Sequence, residues 1–131
     1  MFIADIVDAF WLIPLHPKER RFFCAKLRGK FYLFTRTAQG SRMAPLTFAA
    51  IMALASRWIQ SLSDEFQLQT YVDDPLVIIK GTQQRIRRLA VIIAAAWQIM
   101  GFPLAFHKAT LSNKLTWIGC LLYTSPSPRD A

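Results

Sequence analysis

Leu68-Gln69-Thr70-Tyr71-Val72-Asp73-Asp74-Pro75-Leu76-Val77-Ile78-Ile79 is the stretch on which the reading of this chain turns. Its two apolar segments, Leu68–Val72 and Leu76–Ile79, read as the strands of a hairpin whose tip carries two adjacent carboxylates. Carboxylates at the ends of apolar strands are costly to desolvate without a counter-charge. Pro75, directly after the pair, removes a ladder donor from the outgoing strand, which an edge position or a hairpin exit tolerates. A second acidic group, Asp5 and Asp8, lies at the end of the apolar strand Phe2–Val7. Taken singly, each group has a plain structural account: Asp8 caps a helical turn, and Asp73-Asp74 make a solvated turn. Taken together these accounts weaken, because both groups end strands that can be neighbours in one sheet. Carboxylates so placed repel unless divalent cations sit between them. Hard oxygen ligands select magnesium, with manganese as the alternative.

Outward from this hairpin the chain alternates strands and helices. Pro14 to Pro17 turn the chain after the first strand, and Lys18 to Arg21 form a short charged helical turn. Phe23–Leu27 and Phe31–Phe34 flank Arg28-Gly29-Lys30 as a second hairpin. Gln39-Gly40 opens a loop, and Pro45 begins a helix to about Leu62 with Phe48, Ile51, Met52, Ala55 and Ile59 on one face. Thr82 caps a helix through Met100, Gly101 ends it, and Leu115–Ile118 is a last strand. Strands drawn from distant parts of the chain, with two long helices, give an α+β fold: an antiparallel sheet with both helices packed on one face.

Composition narrows the class further. With 131 residues, 53% of them hydrophobic, the chain suits one domain with a real core and is not a disordered segment. Two cysteines exclude a disulfide-stapled miniprotein. Sixteen Lys/Arg against eight Asp/Glu leave a net charge of +8, which suits a polyanion partner as well as a solvated basic surface. No charged lead followed by an apolar run directs secretion, so the expected location is intracellular, with the compartment open. Leu89 to Phe106 carries no charge, but Gln98, Gly101 and Pro103 interrupt it and Arg85, Arg87 and Arg88 precede it. That pattern reads as a helix of a soluble core rather than a membrane span.

The far end changes composition abruptly, to Ser/Pro from Thr124 onward. Cys120-Leu121-Leu122-Tyr123-Thr124-Ser125 is what TGTCTCTTATACACATCT encodes, the transposase end used in sequencing libraries. Its usual continuation, CCGAGCCCACGAGAC, encodes Pro126-Ser127-Pro128-Arg129-Asp130. The expected division is therefore a native domain over residues 1–119, truncated at one or both ends, and a translated adaptor over 120–131 with no structure of its own.

The motifs fall in a recognisable order. Asp5-Ile6-Val7-Asp8-Ala9-Phe10, then Gln39-Gly40 with Pro45, then Tyr71-Val72-Asp73-Asp74 resemble the palm motifs of reverse transcriptases. Gly101 with Lys108 resembles the next motif, and Leu115-Thr116-Trp117-Ile118-Gly119 the start of the primer-grip strand. Ile13-Pro14-Leu15, after the first motif, looks most like the polymerase of a retroelement. The resemblance implies a polymerase palm with part of the fingers, working as an RNA-directed DNA polymerase. It implies that Asp5, Asp73 and Asp74 bind two magnesium ions, with manganese also accepted, and that Lys108 protonates the leaving pyrophosphate. Asp8, with Ala9 and Phe10, would line the triphosphate site, the Phe10 ring excluding a 2′ hydroxyl. Gln39, Gly40 and Tyr71 would contact the nucleotide, and Arg42, Trp117 and Gly119 the primer and template.

The same resemblance names the partners: an RNA or DNA template with its primer, deoxynucleoside triphosphates, and the fingers, thumb and RNase H segments of a parent polyprotein, with no membrane. Pro75 departs from the family pattern, and Met43-Ala44 stands where many relatives have Gly and Ser before the proline. Two other readings stay open at this level. One is a non-catalytic nucleic-acid-binding remnant of a decayed retroelement. The other is the palm of an RNA-templated RNA polymerase, against which Phe10 and the lack of a Gly before the acidic pair argue.

Overall fold

The computed structural model describes Met1–Thr124. Along them run β1 (Phe2–Ile3), β2 (Cys24–Leu27), β3 (Lys30–Leu33), α1 (Ala44–Gln60), β4 (Phe66–Tyr71), β5 (Asp74–Ile79), α2 (Gln83–Ile99), β6 (Thr110–Leu111), β7 (Lys114–Trp117) and β8 (Cys120–Tyr123). The central sheet has the order β4-β5-β1-β6, and every pair in it is antiparallel. Strand alternation sorts its side chains onto two faces. Val77, in register with both Phe2 and Leu68, and Ile79, opposite Phe66, point to one side. There they join Phe48, Met52 and Ile59 of α1 and Ile93 and Trp97 of α2 in one buried cluster. On the other face Leu76, with Ile3 and Ile78, meets Met1, Leu115, Trp117 and Leu122. The molecule is thus helices, sheet and a covering hairpin, with both long helices on the same side, as the sequence pattern requires.

Helix spacing explains that side. Phe48, Met52, Ala55 and Ile59 recur every three or four residues along α1 and are all buried. On α2 the buried set is Ala90, Ile93, Ala94, Ala96 and Trp97. Thr82 accepts a bond from the amide of Arg85 and so caps α2. At the other end, Gly101 sits at φ +85°, its amide bonding Gln98 O, while the Phe102 amide reaches back to Trp97 O at 2.9 Å. This is the paired 5→2 and 6→1 closure of a helix end, sealed by the Trp97 and Phe102 rings at 5.7 Å. It turns the chain back toward the first strand. No helix among the described residues is long and apolar enough to cross a membrane.

Most element boundaries shift by one or two residues from expectation, and three differences have a structural consequence. β1 stops at Ile3 rather than Val7. The reason is Pro75, which sits in β5, flanked by β4 and β1, with its carbonyl accepting from Ala4 N at 3.3 Å. In an antiparallel ladder a residue's N–H and C=O face the same neighbour, so the donor that Pro75 lacks is the one Ala4 O would have received. The ladder loses a rung there and resumes where Ile6 N bonds Asp73 O. The helical turn expected at Lys18 to Arg21 lies at Arg20–Phe22 instead.

The third correction concerns the tail. Cys120–Tyr123, expected to be unstructured, is strand β8, paired with β7 across the turn Ile118-Gly119. Leu121-Leu122-Tyr123 supplies the apolar and aromatic residues a strand favours, and Leu122 packs with Leu76 and Leu115 beneath the sheet. These residues complete a hairpin. The expectation for residues 125–131 lies outside the described residues.

The free edge of β4 is closed by one side chain. Gln60, the last residue of α1, donates to Phe66 O and accepts from Leu68 N, both at 2.7 Å. Its carboxamide occupies the place of a further strand and covers two outward-facing backbone groups of an edge that would otherwise template pairing. Gln60→Ala should lower stability by about 1–2 kcal/mol. Urea denaturation should show this as a lower midpoint with an unchanged slope; an unaltered midpoint would mean the edge needs no such cover.

Candidate active site

The site forms where three segments meet. Ile6 N bonds Asp73 O at 3.0 Å, Val7 N bonds Pro103 O at 2.8 Å, and Ala105 N bonds Asp5 O at 2.8 Å. Asp5 is thereby set between the acidic turn on one flank and the segment after α2 on the other. From that second flank Lys108 Nζ donates to Asp5 Oδ2 at 2.5 Å. A cleft of about 340 Å³ opens here, lined among others by Asp5, Asp8, Ala9, Phe10, Gln39, Asp73 and Lys108. A larger groove, about 600 Å³, runs beside Leu62, Arg85 and Ile92. It has one carboxylate, Glu65, already paired with Arg85, so the chemistry belongs to the smaller cleft.

The local backbone is unusual at both acidic groups. Asp8 is in the left-handed region, φ +51°, at the head of a 3-10 turn over Ala9–Leu12, and its side chain caps nothing. The capping account of Asp8 therefore fails: its carboxylate is exposed and unspent. Phe10 rests on Phe48 with ring centroids 5.4 Å apart, which fixes its ring at the cleft wall. In the acidic turn Val72 takes φ +53°, a strained conformation for a β-branched residue. Such strain costs on the order of 1–3 kcal/mol and concentrates at functional turns.

Charge couples these groups. Desolvation, then the charges of Asp73 and Asp5, push the Asp74 carboxyl above its usual range, while Lys108 pulls it back. The bond to Asp5 and its charge hold the Lys108 ammonium above the ordinary lysine value, and Asp74 and Asp73 add to that effect. Three carboxylates and one ammonium thus form a single electrostatic cluster. As hard oxygen donors they have the chemistry of a magnesium or manganese site. Among the described residues no three carboxylate, thiol or imidazole groups converge into a ready-made cation cage. Asp5, Asp73 and Asp74, expected from the sequence to share two ions, are thus not gathered into one cage, and Asp74 lies outside the lining of the cleft.

Other expected residues stand around the cleft rather than in it. Asp74 turns its backbone carbonyl to the Trp117 indole N–H at 3.2 Å, tying the β7–β8 hairpin to the acidic turn. Tyr71 is exposed at the end of β4, and Arg42 is exposed just before α1. Gly40 adopts φ +88° with open space beside it, so it is backbone conformation rather than crowding that calls for glycine. Gly119, at φ +79°, follows Ile118, at φ +44°, in the β7–β8 turn. Trp11, Ala105 and His107 also line the cleft and were not anticipated. Trp11 beside Phe10 and His107 beside Lys108 are signals available in the sequence, whereas Ala105 has none.

This sheet, its two helices and its acidic hairpin are those of a polymerase palm. The fold matches a foamy viral protease-reverse transcriptase in complex with an RNA/DNA hybrid, with TM-score 0.78 at 19% identity, covering 93% of this chain and 16% of that one. A foamy viral protease-reverse transcriptase in complex with double-stranded DNA gives 0.77 at 20% identity, covering 95% and 24%. Residues 1–122 match the model of the reverse transcriptase (RNA-dependent DNA polymerase) family, and the chain belongs to that family. It is similar to the Gag-Pol polyprotein of woolly monkey sarcoma virus, 27% identical over 135 residues, covering 92% of this chain and 8% of that polyprotein. The Pol polyprotein of equine infectious anemia virus (isolate CL22) is 24% identical over 126 residues, covering 91% and 11%. The chain spans about a tenth of the length of these curated relatives.

The raised carboxyl of Asp74 has a measurable sign. Between the ordinary aspartate range and the raised value, the folded state holds more protons at Asp74 than the unfolded state does. Stability from this group therefore falls as pH rises through that window. Asp74→Asn should melt higher than the parent at pH 7, with the advantage shrinking as pH falls from the raised value toward the ordinary aspartate range and absent below it. Equal melting temperatures at pH 7 would show that the carboxylate repulsion is not felt.

Proposed function

We propose that the chain is the catalytic palm of an RNA-directed DNA polymerase, adding deoxynucleotides to a primer 3′ end paired with an RNA or DNA template. The observation that carries this reading is the convergence of Asp5, Asp8, Phe10, Gln39, Asp73 and Lys108 on one cleft. Asp5, Asp73 and Asp74 would hold two magnesium or manganese ions. Such ions, when bound, activate the 3′ hydroxyl and offset charge on the attacked phosphate and the leaving pyrophosphate.

The chain's own residues supply the rest. The amides of Ala9 and Phe10 open a 3-10 turn and so have no acceptor within it, which suits them to a triphosphate. Phe10, braced by Phe48, presents a ring where a ribose 2′ hydroxyl would collide. Gln39 lies on the same wall and would bond the nucleotide. Lys108, kept protonated by Asp5, is the acid for the departing pyrophosphate. Arg42 is an exposed cation for the template backbone, and Trp117 and Gly119 belong to a hairpin that would border the primer end.

The isolated chain, with its net charge of +8, should bind primer–template in a salt-sensitive way without extending it. Catalysis depends on fixing the 3′ oxygen against phosphorus, and a misplacement of about 1 Å costs roughly a hundredfold. Joined to the fingers and thumb of a full-length relative, the chain should synthesise DNA on an RNA template. Asp73→Asn should bring synthesis to background, and Phe10→Ala should admit ribonucleotides. A chimera that folds and binds template yet makes no DNA with either ion overturns the reading in favour of a non-catalytic remnant.

A further inference from the structure

Two ion pairs occur among the described residues, and one of them lies inside the candidate site. Lys108 reaches Asp5 across 103 positions of sequence, so this pairing is a product of the fold and not of local chain geometry. Its side chain is 60% exposed, against 28% for Asp5, which leaves the lysine room to swing while the carboxylate stays in place. The stem rises from a turn closed by Lys108 N on Ala105 O at 2.9 Å, and Ala105 N is itself anchored to Asp5 O. The ammonium is therefore tethered within reach of the carboxylate whether or not the two are bonded. Asp73 and Asp74 attract it as well.

We propose that Lys108 is a resident stand-in for a metal cation. In the metal-free chain its ammonium neutralises Asp5, an incoming divalent cation displaces it, and the displaced ammonium turns into the cleft. This inference rests on Asp5, Asp73 and Asp74 being the metal ligands. Its content is an exchange: the lysine and the cation compete for one carboxylate, so the lysine is offered to an anionic substrate only once the cation has arrived. Apparent metal affinity is lowered by the fraction of molecules in which the pair is closed.

Binding of manganese to the full chain, followed by water-proton relaxation, tests this directly. Lys108→Met should bind manganese roughly three- to tenfold more tightly than the parent, the effect of removing a partly exposed ion-pair competitor and its repulsion of the ion. Lys108→Arg should keep the parent affinity. Lys80→Met, which removes the same charge beyond the far end of β5, should leave affinity unchanged. In the parent, amine labelling of Lys108, read by mass spectrometry, should quicken when manganese is added. Equal affinities of the parent and Lys108→Met, with labelling indifferent to manganese, overturn the exchange while leaving the ligand assignment intact, provided that Asp73→Asn still abolishes binding. Equal tightening by Lys80→Met and Lys108→Met reduces the effect to general charge and also overturns it. No manganese binding in any variant overturns the ligand assignment and the exchange with it.

Discussion

Ile6 N on Asp73 O and Ala105 N on Asp5 O, at 3.0 and 2.8 Å, are the bonds on which the arrangement of this molecule rests. They fix a short segment, Ala4 to Val7, between the acidic turn and the chain that returns from α2. Without them Asp5 and Asp73 have no common location, and Lys108 has no partner. The pairing is backbone to backbone, so side chains along it are free to be chosen for chemistry. That freedom is used for carboxylates that repel each other. The burial of Phe48, Ile59, Val77, Ile93 and Trp97, each inaccessible to solvent, supplies the stability against which the repulsion is tolerated.

Cost and function are divided in a consistent way across the fold. The apolar layer under the sheet is regular: helix periods and strand alternation agree, and one contiguous cluster results. Irregular backbone occurs at the β2–β3 and β7–β8 turns, where Arg28 and Ile118 take positive φ, and around the cleft. Asp8 and Val72 both adopt left-handed backbone, Pro75 deletes a rung beside the acidic pair, and Asp74 carries a carboxyl whose ionisation is resisted. Buried Trp97 is an exception, since its indole N–H has no partner within the core. A turn that holds Val72 at positive φ is over-determined by its neighbours, and the two strands it joins are paired along their full length.

Much of this was legible before any coordinates. The α1 face was readable because Phe48, Met52, Ala55 and Ile59 repeat at helical spacing, and the acidic hairpin because two apolar runs bracket Asp73-Asp74. Gly101 announced a helix end, although not the backbone closure that aims the next segment at Asp5. Other features depend on pairings that local patterns do not encode. That β1 ends early follows from which neighbour Pro75 faces, a matter of register. That Lys108 holds Asp5 follows from a return of chain that no window of sequence contains. The tail misled for a different reason. Its likeness to a translated adaptor implied no structure, while Leu121, Leu122 and Tyr123 are residues a strand favours, and they pair as one.

The sheet order β4-β5-β1-β6 has a consequence for how the molecule comes into being. β1 opens the chain, yet both its partners are encoded far downstream, and Met1 N bonds Ser112 O across 111 positions. Closing so long a loop is entropically unfavourable until the contacts that compensate for it exist. The acidic hairpin with α1 can form from neighbouring sequence, whereas Asp5 must wait for the segment near Lys108 to leave the ribosome. During vectorial synthesis β1 is thus made well before either partner, and it remains an unpaired apolar strand in the interval. Non-local pairing of this kind is slow to form, and the waiting strand is the segment most exposed to wrong pairing.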